Sequence, residues 1–199
     1  MADSSQEMTH RVSKLLSNFF NPMNSLVLYF LFFSIKNFSL KETGENFLPI
    51  FFLMIVPISG WIFYKVKSGA FTDSDVSDRN QRKQLYFFIG ASLIIYLLFI
   101  YFRFNRVDWV LLYLLILLVT MQISNYFIKS SMHTALNIYV AALMFTIDPL
   151  LGIGWLSIAV AVGISRVILK RHTWAEVISG ASIATIISFI YLYTHIQLL

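Results

Sequence analysis

The chain has 199 residues, of which 58% are hydrophobic and 13% charged, with phenylalanine alone contributing 19; a soluble fold of this size has no core large enough to hold them. The net charge of +5 is scattered through short polar stretches. That distribution argues against a nucleic-acid partner and suits anionic lipid headgroups. Cysteine is absent, which excludes disulfides, a thiolate nucleophile and a thiolate metal site.

By length the chain is one domain, 1–199. It opens with a polar, faintly amphipathic segment, 1–18, in which no signal-peptide core adjoins the charges. Seven apolar runs follow, at approximately 24–38, 47–66, 85–104, 109–128, 134–147, 151–165 and 174–196. In a hydrocarbon layer of roughly 30 Å the backbone must satisfy its own polar groups, so these runs predict helices. A β-barrel would need alternating polar residues, and 26–33 and 111–119 have almost none. The expected fold is therefore an all-α, multi-pass transmembrane bundle with seven passes, or six with one partly re-entrant hairpin.

The junctions between runs carry their own signals. The third and fourth join through Asn105 to Asp108, with Asp108 placed to cap the next helix. Only Asp148 and Pro149 separate the fifth and sixth, which predicts a tight turn or a break in an irregular hairpin. Aromatic residues gather at run ends, as at Trp61, Phe63, Tyr64, Tyr101, Phe102 and Trp109, where interfacial belts form. If all seven runs cross, Lys36, Lys41, Arg103 and Arg106 face one side and the rest of the 15 basic residues face the other. The positive-inside rule then makes the richer side cytoplasmic, in a cell (inner) membrane.

Three polar clusters interrupt the apolar chain, at 72–83, 129–133 and 165–176. They follow the second, fourth and sixth runs, so seven crossings would deliver all three to one membrane face. Together they supply two histidines, several guanidinium groups, an ammonium, serines and a carboxylate. That is the inventory for handling phosphate: cations to neutralise its oxygens, one imidazole to attack and another to transfer a proton.

In the third cluster His172 directly precedes a helix start, where unpaired N–H groups favour an anion. Glu176, four residues on, can hold one imidazole nitrogen and leave the other as nucleophile. The competing reading is a Thr173-x-x-Glu176 capping box with no chemistry, and one carboxylate is expected to serve only one of these roles. In the second cluster Ser131 caps a helix, and His133 is either interfacial or a proton carrier. The first cluster, with Asp73, Asp75, Asp78, Arg79, Arg82 and Lys83, also reads as a solvated, self-paired loop.

These residues resemble the type 2 phosphatidic acid phosphatase superfamily, lipid phosphatases related to vanadium haloperoxidases. Its third motif, Ser-Arg, five residues, His, three residues, Asp, is matched by Ser165, Arg166 and His172, with Glu176 in place of Asp. Its second, Pro-Ser-Gly-His, corresponds to Ser130-Ser131-Met132-His133, and its first, Lys, six residues, Arg-Pro, to Thr72 and Arg79-Asn80. The resemblance implies that His172 attacks phosphorus, oriented by Glu176, while His133 protonates the leaving oxygen. It also implies that Arg79, Arg166, Ser131 and Ser165 hold phosphate oxygens, with no metal or other cofactor. Lys129 or Arg82 would replace the missing lysine.

The expected activity is removal of phosphate, with water as acceptor, from phosphatidate, phosphatidylglycerol phosphate or a polyprenyl (di)phosphate lying in the bilayer. The alternatives are a phosphotransferase using the same covalent histidine and a non-catalytic phosphate-lipid binder or carrier. Nothing in the sequence sets an oligomeric state.

Overall fold

The computed structural model describes residues 2–76 and 78–198. Over these the chain is helical, with α1 (Ala2–Phe19), α2 (Pro22–Asn37), α3 (Leu40–Ile50), α4 (Val56–Lys67), α5 (Arg79–Phe104), α6 (Trp109–Ser124), α7 (Met132–Ile147), α8 (Pro149–Ile168) and α9 (Trp174–Leu198). It is an all-α, multi-pass membrane protein.

Among the described residues, four helical stretches are long and apolar enough to cross a bilayer, rather than six or seven. They are Leu40–Lys67, Arg79–Phe104, Pro149–Ile168 and Trp174–Gln197. Helices α2, α6 and α7 have 16 residues each and rise only about 24 Å, short of the roughly 30 Å required. The reduction removes the parity on which the membrane side had rested, and the charge asymmetry no longer assigns a face.

The helices form two compact units, residues 1–33 with 128–199, and residues 34–127. In the first, α7 packs against both α8 and α9, and α1 packs against α8. Helix α7 is the centre of this unit: Thr134, Ala135, Leu136, Asn137 and most residues through Met144 are buried. A helix walled in by protein need not match the thickness of the lipid.

Polar residues set how these helices meet. Buried Asn137 accepts from the Ser25 hydroxyl at 2.9 Å and the Trp155 indole at 3.2 Å. Its amide donates to the Phe20 and His133 carbonyls at 2.9 and 2.8 Å. All four hydrogen-bonding positions of the amide are thereby used. The Phe20 carbonyl lies in the break between α1 and α2, where Pro22 opens the new helix. At the other end, Asp148 closes α7 and caps α8, accepting from Leu150 and Leu151 N–H. A side chain at Gly152 would come within 2.6 Å of Phe145 Cβ, so this hairpin closes only with glycine there.

In the second unit α3 and α4 are continuous through a π-helical turn, Phe51–Ile55, lying between Pro49 and Pro57. Proline lacks the N–H that a regular α-turn uses, and Val56 N–H instead reaches back five residues to Phe51 C=O. Trp61 of α4 stacks on Phe88 of α5 with ring centroids 4.5 Å apart. Left-handed Asn105 ends α5, and Asp108 caps α6 by accepting from Leu111 N–H at 3.0 Å, as its sequence position predicts.

Candidate functional site

The second and third polar clusters meet in the first unit, where α7 and α9 begin side by side. The Ser131 N–H donates to the Glu176 carbonyl at 2.9 Å, and the Ser130 and Ser179 hydroxyls are 2.7 Å apart. The approach is backbone on backbone: a Cβ on Gly180 would stand 2.6 Å from Ser131 O. Gly163 of α8 makes the third close contact, since a Cβ there would meet Val177 Cγ1 at 3.1 Å and Thr134 Oγ1 at 3.4 Å. Two helix N-termini placed together make this end of the unit electropositive.

The spacing from Arg166 to His172 has a backbone cause. Helix α8 ends in a Schellman turn: Lys170 N–H bonds Val167 C=O, and Arg171 N–H bonds Arg166 C=O. Lys170 takes the left-handed conformation at φ 55°, a place usually given to glycine. His172 N–H then also reaches Arg166 C=O at 3.2 Å. The carbonyl of Arg166 thus fixes the two residues that turn the chain, and the imidazole follows at the entry to α9.

His172 is buried, its side chain 1% exposed, and its Nδ1 lies 2.9 Å from Glu176 Oε2. A carboxylate oxygen accepts, so a neutral imidazole paired in this way carries its proton on Nδ1 and its lone pair on Nε2. The same Oε2 accepts from Thr173 N–H at 3.1 Å, while Glu176 N–H donates to Thr173 Oγ1 at 3.3 Å. The capping box and the histidine–carboxylate pair therefore coexist, contrary to the expectation that one carboxylate serves one role. An oxygen with two lone-pair directions can take both donors, and the longer glutamate arm spans back to the ring.

His133 stands half-buried in the first turn of α7, two residues beyond the Ser131 that touches α9. Ser131 Oγ caps α7, accepting from Thr134 N–H at 3.4 Å and Thr134 Oγ1 at 3.0 Å. Ser165 is buried and returns its hydroxyl to Ala161 C=O at 2.8 Å. Arg166, also buried, donates from Nη1 to Ser17 Oγ of α1 at 3.0 Å. Lys129 donates to Arg171 C=O at 3.2 Å, tying the segment before α7 to the turn before His172.

Arg79 and Arg82 belong to the second unit. Arg79 Nε donates to Asn125 C=O at 2.6 Å and the Asn125 amide returns a bond to Arg79 C=O at 3.2 Å. That pair fastens the start of α5 to the end of α6. Arg82 is buried beside Tyr86. Asp78, read as part of a charged loop, caps α5 by accepting from Asn80 and Gln81 N–H at 2.9 Å.

Thus His172, Glu176, His133, Ser131, Ser165, Arg166 and Lys129 share one unit, and Arg79 and Arg82 do not. Sequence reasoning missed Ser17, 149 positions from Arg166 and with no motif of its own. It also missed the role of Gly180, for which the signal was a glycine placed four residues after Glu176. No group of three or more histidine or carboxylate side chains suited to a metal exists among the described residues. No known protein family, no curated protein and no solved structure matches this chain.

Proposed function

We propose that the chain removes phosphate from a membrane lipid phosphate or diphosphate, with His172 as the nucleophile. The observation that carries this reading is the buried His172–Glu176 pair at 2.9 Å, set where two helices begin and one of them bears His133. An imidazole held by a carboxylate through Nδ1 presents Nε2 in a fixed direction, the same arrangement that activates histidine elsewhere.

Nε2 forms a bond to phosphorus as the bond from phosphorus to the lipid oxygen breaks, and protonated His133 gives its proton to that oxygen. Neutral His133 then takes a proton from water as the water oxygen attacks the phosphohistidine. The N–P bond breaks, inorganic phosphate leaves and His172 is restored. Arg166, Lys129 and the two helix N-termini offset the phosphate charge, and Lys129 stands in for the motif lysine whose place Thr72 takes. A substrate anchored by its acyl or prenyl chain would bring its phosphate to helix ends at the interface.

The test is phosphate release by purified protein from phosphatidate, phosphatidylglycerol phosphate and prenyl diphosphates in mixed micelles containing a chelator. Wild type is expected to turn over at least one of them and to be inhibited by vanadate. His172→Ala is expected to abolish turnover while leaving the helical content intact. Undiminished release by His172→Ala would remove His172 from the role of nucleophile.

A further inference from the structure

Helix α1 exposes an apolar stripe and buries serines. Its apolar residues Met8, Val12, Leu15 and Phe19 recur at spacings of four, three and four, which places them within roughly 100° of arc. All four are exposed, between 57% and 71%. What α1 buries instead is Ser13 and Ser17, at 4% and 1%. Lys14, Arg11 and Glu7 occupy a third face, with Arg11 bonded to Glu7.

The rotation of the helix about its axis is fixed by its protein contacts. Ser17 Oγ accepts from Arg166 of α8, and Phe20, just past the helix end, meets Trp155 edge-on with centroids 5.6 Å apart. With the serine face held against α8, the apolar arc must point away from the protein and the charged face away from both. Residues Ser5 to Val12 are exposed on every side, so no other part of the unit covers them.

The surface beside α1 shows what does. Helix α8 is one of the full-length spans, and its exposed Leu156, Val160 and Ile164 are lipid-facing. Helix α1 packs against this span, which sets its apolar arc next to the bilayer on a helix too polar to cross. We propose that α1 is an interfacial helix, lying at the boundary of headgroups and acyl chains of the bilayer that the spans cross. Its Met8–Phe19 arc enters the acyl region, its serine face grips α8, and Lys14 and Arg11 extend toward the headgroups.

The absence of native cysteine makes the test direct. Single-cysteine variants Met8→Cys, Leu15→Cys and Lys14→Cys are labelled with an environment-sensitive fluorophore in phosphatidylcholine nanodiscs. Each is quenched in turn by aqueous iodide and by a lipid carrying a nitroxide near the headgroup. Labels at Met8 and Leu15 are expected to be blue-shifted and quenched several-fold more by the lipid nitroxide than the label at Lys14, which iodide should reach first. Met8 lies clear of the contacts with α8, so its label reports even if a label at Leu15 perturbs packing. Iodide reaching Met8 and Leu15 as readily as Lys14 would overturn the proposal, because the helix would then stand in water. Protection of both apolar positions from both quenchers would overturn it too, because a protein surface, such as a second copy of this chain, would then cover the arc.

Discussion

A single oxygen, Glu176 Oε2, receives both the imidazole N–H of His172 and the backbone N–H of Thr173. Its two duties can be separated by substitution. Glu176→Gln keeps an acceptor for the cap, which tolerates glutamine, but removes the charge that would steady the imidazole in the proposed reaction. It is expected to cost no more than about 1 kcal/mol of stability while lowering turnover roughly 10²–10⁴-fold. Glu176→Ala should lose stability as well, since both donors lose their partner. Parallel unfolding and phosphate-release measurements check this, and full activity in Glu176→Gln would leave the carboxylate as a cap alone.

Helix starts decide much of the local geometry, and two of them give predictions. At the start of α9, Gly180→Ala would drive a Cβ to 2.6 Å from the Ser131 carbonyl. Backbone cannot move aside as a flexible side chain can, so α7 and α9 must separate. A loss of about 1–3 kcal/mol is expected, with turnover falling even where the protein stays folded, whereas Gly154→Ala, which meets nothing within 4 Å, serves as the silent control. At the start of α6, burial holds the Asp108 carboxyl above its ordinary range, against the opposing pull of Leu111 N–H and Arg106. A carboxyl raised in the folded state contributes stability below its unfolded value of about 3.9, and that contribution is lost as pH rises through the folded value. Asp108→Asn keeps the cap without that loss. The variant should therefore gain on wild type as pH is raised from 4 to 7, which paired denaturation curves would show; a constant difference would mean the carboxyl is not buried at a cost.

These elements also show what could be read in advance. Asp108 and Ser131 were legible as caps because a short acceptor directly before an apolar run has few other uses. The Schellman turn was not, because it places Lys170 where glycine is the usual sign. The shortfall in crossings has a similar origin: apolarity marks α7 as well as a true span, and only burial by neighbouring helices separates a core helix from one that faces lipid. For the site, fixed spacing brought out His172, Arg166 and His133. The partners that come from far along the chain, Ser17 above all, leave no local trace.

On the scale of the whole molecule, the first unit is tied together through Asn137, which joins α2, α7, α8 and the break after α1. Asn137→Leu fits the volume but strands the Trp155 N–H and the Phe20 carbonyl in an apolar interior. A loss of about 2–5 kcal/mol is expected, measurable as earlier unfolding in a detergent titration; an unchanged midpoint would show that the network contributes nothing net. The chain order of the units bears on biogenesis. Residues 34–127 lie between the two stretches, 1–33 and 128–199, that make up the first unit. During synthesis the second unit is therefore complete before the first can close. Ser17 must wait for Arg166, and the serines ahead of α7 must wait for α9. The arrangement around His172 is thus assembled only after residues 34–127 have been made, and membrane insertion of α9 is the step on which it depends.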